Sequence, residues 1–209
     1  MRRAAAEPLA WGGVASQWMG RNRRLVSVSA GVVAVLILCG AAVFVYVRHQ
    51  RQQGEQELRQ GILALQSGNA GDAVSHLETA ARRLSSGEAR QLALFYLGEA
   101  YSKHEQQAAA GEAYEKLSRA AQADSYVPQL AALALGREAE RRGDAAQARQ
   151  LYERAASLEG PLKAEALFAA ARILEAASDR SGAASYYEKF LTEHPDSPLA
   201  ELARQKVEK

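Results

Sequence analysis

The sequence predicts an all-α chain: an N-terminal transmembrane helix, then an α-solenoid of four helical hairpins, then a C-terminal capping helix. Two observations carry this fold class. Residues 25–47 contain no Asp, Glu, Lys or Arg, and the rest of the chain repeats one pattern of small residues every 35–38 positions. The Ala-, Glu- and Arg-rich composition also lacks alternating β-branched runs, so no sheet is expected.

The first element is a basic tail, residues 1–24. Its five arginines against the single acid Glu7 give a formal charge of +4. Basic residues in short flanks favour the cytoplasmic side of a membrane. Only three arginines follow the span within a dozen residues, at 48, 51 and 59. We therefore expect the N-terminus inside and the repeats outside the cytoplasm; a cytoplasm-facing domain is the alternative.

Residues 25–47 form the predicted transmembrane helix. At about 1.5 Å per residue they span roughly 35 Å, which crosses a ~30 Å hydrocarbon core with some tilt. A cleaved secretory signal could use residues 40–42, but it would leave an apolar stub at 43–47. A lipoprotein would use Cys39, although Leu38 stands where a small residue is expected. The uncleaved anchor is the favoured interpretation.

Charge and cysteine content limit what the remaining residues do. The whole chain carries +2, so residues 48–209 carry −2 once the tail is set aside. This balance gives no reason to expect nucleic acid. Because Cys39 is the only cysteine, the later residues can form neither a disulfide nor a thiolate metal site. Residues 48–53 are expected to continue the helix or form a short polar neck.

Four segments then share one internal spacing. A small residue is followed twelve positions later by Ala, and four positions after that by Tyr or Leu. The four sets are Gly61/Ala73/Leu77, Gly98/Ala110/Tyr114, Gly136/Ala148/Tyr152 and Ala171/Ala183/Tyr187. A fixed offset within units and a variable one between them indicates helical hairpins joined by unequal loops. Small residues allow close helix approach, and the large residue fills the space beside them.

The second unit resembles the tetratricopeptide repeat. Its signature residues are Leu94, Leu97, Gly98, Tyr101, Ala110 and Tyr114, with Leu94 standing where Trp is usual. The resemblance covers residues 54–197 and is weakest in the first unit, where Glu57 and Gln60 replace larger apolar residues. It implies helical hairpins stacked as a solenoid. The Lys/Asn pattern of the clamps that hold chaperone C-terminal carboxylates is missing.

A capping helix is predicted at residues 198–209. It follows the break His194-Pro195-Asp196-Ser197-Pro198, and it places Leu199, Leu202 and Val207 at helical spacing. A solenoid needs such a helix over its last open core face.

Catalytic chemistry is not expected. The four histidines lie in separate segments with no pair at helical ligand spacing. No nucleophile elbow or phosphate loop is present in the sequence. We therefore predict a protein that is not an enzyme and needs no cofactor or metal.

The first helices of a hairpin solenoid line a concave surface that commonly binds a peptide or a partner helix. Helical spacing from the small residues assigns nine candidates to this groove. They are Phe95, Glu99, Lys103, Leu133, Arg137, Arg141, Phe168, Arg172 and Glu175. The phenylalanines would anchor the partner, and the guanidinium groups of the arginines would bind its carboxylates or backbone carbonyls. The alternative is that the phenylalanines belong to the core and the arginines are ordinary surface residues.

The order of tail, single span and repeats resembles the ancillary Sec-translocon subunit family of bacterial inner membranes. That resemblance implies a periplasmic repeat domain that links the translocon to chaperones. Residues 186–198 also resemble the last repeats of envelope proteins that coordinate Tol–Pal function and cell division or assemble outer-membrane proteins. We expect a single-pass adaptor that binds protein partners and the lipid bilayer; the competing interpretation is a structural scaffold.

Overall fold

The computed structural model describes residues 23–122 and 125–208, and over those ranges it is helical without strands. The helices there are α1 (Arg23–Gln66), α2 (Ala70–Arg83), α3 (Glu88–Lys103), α4 (Gln107–Ala120), α5 (Val127–Arg141), α6 (Ala145–Ser157), α7 (Lys163–Ala176), α8 (Arg180–Glu193) and α9 (Ala200–Val207). The all-α prediction is confirmed. Most of the predicted basic tail, residues 1–22, lies outside the described residues, as does Lys209.

The chain divides into two compact units, Met1–His49 and Gln50–Lys209. In the first unit the described residues are helical, and every side chain from 31 to 49 is exposed. By length and composition, the described part of the chain contains one helix that could cross a membrane; a signal sequence has the same character.

The second unit is a series of helical hairpins. The end of α1 packs against α2, and the pairs α3/α4, α5/α6 and α7/α8 follow. The last helix, α9, packs against α8. First helices also meet each other, since α3 contacts α5.

The repeated small residues make room for large residues on the second helix of each hairpin. A Cβ atom built on Gly136 would lie 2.6 Å from the Tyr152 ring, and one on Gly61 would lie 2.5 Å from Leu77. Real Cβ atoms do not approach other atoms so closely, so only glycine fits at these positions. Ala148 is fully buried between the helices. The predicted pairing of a small with a large residue is confirmed at these contacts.

The turn inside each hairpin has one backbone conformation. Gly68, Glu105, Gly143 and Ser178 all have φ between +61° and +82°. In three of the turns the next residue caps the second helix: the side chains of Asn69, Asp144 and Asp179 accept a hydrogen bond from the backbone N–H three residues later. Such caps satisfy one of the four unpaired N–H groups of a helix start. The turn at Glu105 has no side-chain cap, because Gln106 occupies that position.

Candidate partner-binding site

A cavity of about 530 Å³ opens between α5 and α7, beside the turn that precedes α9. It is lined by Leu133, Arg137, Tyr152, Pro161, Leu162, Ala164, Glu165, Phe168, Ala169, Arg172, Phe190, Ser197, Pro198 and Leu199. Four of the nine predicted groove residues are among them: Leu133, Arg137, Phe168 and Arg172. Its volume lies in the range of protein ligand sites, so it can hold several side chains of a partner.

The floor of the cavity is apolar. Leu133 and Phe190 are buried, at 2% and 0% exposure. Phe168 is half-buried, and its ring meets Phe190 edge-on with centroids 5.6 Å apart. Edge-to-face packing of this kind holds aromatic rings in place. Leu133 and Phe168 are therefore part of the core as well as of the cavity wall.

One wall depends on the buried amide of Gln129 in α5, which is 1% exposed. Its Nε2 donates to the carbonyl oxygens of Ala155 and Leu158, at 3.2 and 2.9 Å. Its Oε1 accepts from the backbone N–H of Leu162, at 3.0 Å. The loop that brings Leu162 to the cavity is thus fastened to α5. Sequence reasoning missed Gln129, whose only signal is a polar residue inside an apolar helix.

The two arginines on the cavity wall are held differently. Arg172 makes a bidentate pair with Glu140, with two nitrogen–oxygen distances of 2.6 Å. Arg137 lies between Glu99 and Glu165, at 3.4 and 3.3 Å. The hydrogen bonds from Arg172 hold the pKa of Glu140 below its ordinary value, and Glu140 in turn raises the pKa of Arg172. Both arginines on the cavity wall therefore already contact carboxylates of this chain.

Carboxylates on the first helices also accept hydrogen bonds from tyrosines on the second helices. The hydroxyl of Tyr114 donates to Glu99 at 2.8 Å, that of Tyr152 to Glu140 at 2.9 Å, and that of Tyr187 to Glu175 at 3.1 Å. Burial, followed by the neighbouring carboxylate, raises the pKa of Tyr187 to about 12. The same causes raise the pKa of Tyr114 and Tyr152.

Each of these carboxylates also contacts a cation of the following hairpin or of the cap. Glu99 contacts Arg137, Glu140 contacts Arg172, and Glu175 contacts Lys206 of α9 at 2.6 Å. We call these three contacts the inter-repeat ion pairs. They join the second hairpin to the third, the third to the fourth, and the fourth to α9.

The other predicted groove residues do not line the cavity. Phe95 is half-buried against Tyr96 and Tyr114, with ring centroids 5.4 and 6.2 Å away. Lys103 is the exposed last residue of α3. The guanidinium of Arg141 lies 2.9 Å from the carboxylate of Glu138. Glu99 and Glu175 belong to the inter-repeat ion pairs.

Within residues 23–122 and 125–208, no group of three or more His, Cys, Asp or Glu side chains is arranged to hold a metal ion. The cavity combines an apolar floor with charged side chains at its edge.

These features define a class of protein: stacked helical hairpins, each with a small residue facing a large one, closed by a C-terminal helix. The chain belongs to the tetratricopeptide repeat family, whose model matches residues 58–126 and 133–198, more than half of the sequence. The predicted repeat type and the α-solenoid fold class are thereby confirmed. Tetratricopeptide repeats mediate protein–protein interaction, and proteins built from them are generally non-enzymatic scaffolds.

Solved structures of low sequence identity share this fold. A putative kinesin light chain with TPR-like repeats from Podospora anserina is 17% identical, with a TM-score of 0.63 over 76% of this chain and 84% of that chain. MamA is 17% identical, with a TM-score of 0.60 over 75% and 79%. Pseudomonas aeruginosa pilF is 22% identical, with a TM-score of 0.54 over 75% and 67%. No curated protein matches the sequence.

Proposed function

We propose that this protein is a membrane-anchored, non-catalytic adaptor that captures protein partners in the cavity between α5 and α7. The observation that carries the proposal is the cavity itself. Its floor is built from Leu133, Phe168 and Phe190, charged side chains stand at its edge, and its volume is about 530 Å³. Apolar pockets with a few polar groups are the usual form of a binding site.

The membrane anchor is part of the proposal. We assign residues 1–24 to a cytoplasmic tail, 25–47 to the span, 48–53 to a neck, 54–197 to the repeats and 198–209 to the cap. The exposed apolar side chains of the first unit support the span, since water-soluble proteins rarely expose such continuous apolar surface. The basic tail supports a domain outside the cytoplasm.

The proposed setting is a secretion or translocon complex of a bacterial inner membrane, with chaperones among the partners. The order of tail, span and repeats supports it.

Protease added to intact spheroplasts should digest residues 48–209 and leave the membrane fragment. A protected repeat domain would reverse the orientation, and a mature N-terminus near residue 42 would show a cleaved signal.

Site-specific photocrosslinking tests whether the cavity captures partners. Leu199 lines the cavity and is 39% exposed, whereas Leu63 is 63% exposed and does not line it. A photoreactive residue at Leu199 should give defined partner adducts that the same residue at Leu63 does not give. Ala169→Trp, which fills part of the cavity, should remove them. Equal adducts at both positions, or adducts that survive Ala169→Trp, would favour the structural-scaffold alternative.

A further inference from the structure

We infer that the partner segment held in this cavity presents large apolar side chains beside an Asp or Glu, and that Arg137 receives that carboxylate. This inference rests on the proposed function, because it names the chemistry of the partner at the same site. It gives Arg137 and Arg172 different roles, although sequence spacing treats these two arginines as equivalent.

Arg172 is already committed to a carboxylate of its own chain. Both terminal nitrogens lie 2.6 Å from the two oxygens of Glu140. This bidentate geometry is the strongest that a guanidinium forms with a carboxylate. A ligand would have to break both hydrogen bonds to use Arg172, so we assign Arg172 to its pair with Glu140 and not to partner recognition.

Arg137 is held much more loosely. Its two contacts, with Glu99 and Glu165, are 3.4 and 3.3 Å long, near the outer limit of a hydrogen bond. Within the described part of the chain its Nε–H makes no hydrogen bond. A guanidinium has five N–H donors and stays charged, so Arg137 can donate to a third carboxylate, supplied by the partner, at shorter distance.

Filling the cavity favours that third carboxylate. A partner that covers the apolar floor removes water from Arg137, which is 39% exposed, and a desolvated charge with weak contacts is unfavourable. Glu165 stands at the edge with 53% exposure and can keep its water. Acceptor oxygens from the partner offset this loss of water around Arg137, and a carboxylate supplies the strongest ones.

The rest of the cavity sets the apolar part of the partner. Leu133, Leu162 and Phe190 line it, and exposed Pro198 and Leu199 extend this surface at the edge. Large apolar side chains gain most from burial in such a place. An acidic residue between or beside such side chains fits both the floor and Arg137.

Peptide display on the full chain in lipid nanodiscs tests the inference. Random peptides are selected on the wild type and counter-selected on Ala169→Trp, so that only cavity-dependent binders remain. The enriched peptides should share an Asp or Glu next to Leu, Ile or Phe. Changing that acid to its amide should weaken binding to the wild type about tenfold to a hundredfold, the range of a charge-assisted hydrogen bond.

Three protein variants complete the test. Arg137→Gln should weaken binding of the acidic peptide similarly and should no longer distinguish acid from amide. Its matched control Arg172→Gln should still distinguish them. Glu165→Gln should raise affinity severalfold, because it removes a like charge and a competitor for Arg137. Thermal melting of each variant establishes that it is folded.

Two negative results have different meanings. Cavity-dependent peptides that bind equally well as acid and amide would overturn the role of Arg137 and leave the adaptor proposal standing. A selection that yields no cavity-dependent peptide would overturn the adaptor proposal itself. The acid-to-amide comparison uses only the wild-type protein, so it decides the question even if Arg137→Gln fails to fold.

Discussion

At the scale of single residues, Glu138 and Arg141 show how burial changes the contribution of a charge to stability. Glu138 is 1% exposed, and its Oε2 atom has no hydrogen-bond partner. Its Oε1 accepts from Ser102 at 2.5 Å and contacts Arg141 at 2.9 Å. Arg141 is 45% exposed and also donates to Ser102. Arg141 is therefore the cation that makes a buried carboxylate tolerable.

Removing Arg141 should cost more stability than removing both charges. Arg141→Gln leaves the buried Glu138 carboxylate without its cation and should destabilise the protein by roughly 2 kcal/mol, between exposed and buried pairs. The double variant Glu138→Gln, Arg141→Gln should recover most of that loss. Chemical unfolding followed by circular dichroism measures both. Equal stability of single and double variants would contradict the role given to Arg141.

Gln129 shows that a single buried residue can shape a site without touching a partner. Its three hydrogen bonds join α5 to the end of α6 and to the loop before α7. In the sequence it is one polar residue among apolar neighbours. Its partners lie 26 to 33 positions away, so no local pattern reveals them.

At the scale of elements, the second hairpin has the least favourable turn. Glu105 has φ +61°, a conformation that costs a residue with a Cβ atom roughly 1 kcal/mol, and Gln106 provides no cap. Glu105→Gly with Gln106→Asp should supply both missing features and raise the melting temperature by a few degrees. Glu105→Ala, which keeps the Cβ atom, should not stabilise. A melting temperature unchanged by the double substitution would show that this turn is not strained.

Close packing within a hairpin can be tested at Ala148. This residue is fully buried in α6, whereas Ala146 in the same helix is exposed. Ala148→Leu should overfill the interface between α5 and α6 and cost about 1–3 kcal/mol, and because each repeat contacts only its neighbours the transition should broaden. Ala146→Leu should have little effect. Differential scanning calorimetry on both variants decides; equal effects would mean that the repeat register is misplaced.

At the scale of the whole repeat unit, stability depends on contacts that cross from one hairpin to the next. The inter-repeat ion pairs join α3 to α5, α5 to α7 and α7 to α9. Tyrosines of the second helices reach the same carboxylates. Each repeat of a solenoid contacts only its neighbours, so contacts between adjacent hairpins decide how far its repeats unfold together.

Acidification should therefore weaken the repeat unit. The Arg172 hydrogen bonds lower the folded pKa of Glu140 below its ordinary value of 4.5, so the stabilisation is complete above pH 4.5 and is lost as the pH falls through the lowered pKa. The melting temperature should drop as the pH falls below about 5. In Glu140→Gln the drop should be smaller. Parallel pH dependences of the two proteins would exclude Glu140 as a contributor.

The repeat architecture was predictable because it depends on the spacing of residues that are close in the sequence. A hairpin has a fixed number of residues between the points where its helices touch, so Gly136, Ala148 and Tyr152 recur at the same offsets in other units. The turns inside the hairpins are less easily predicted. In the third hairpin Gly143 and Asp144 are recognisable turn residues, but in the second hairpin Glu105 and Gln106 are not.

Sequence spacing also located Leu133, Arg137, Phe168 and Arg172, because residues at equivalent positions of successive first helices lie on one face. It could not distinguish Arg137 from Arg172, since both occupy the position after the small residue. Arg172 meets Glu140 across 32 positions of sequence, and the cavity needs a loop, two first helices and the turn before α9. Such contacts depend on the rotation between consecutive hairpins, which no local pattern encodes and which only packing in three dimensions sets.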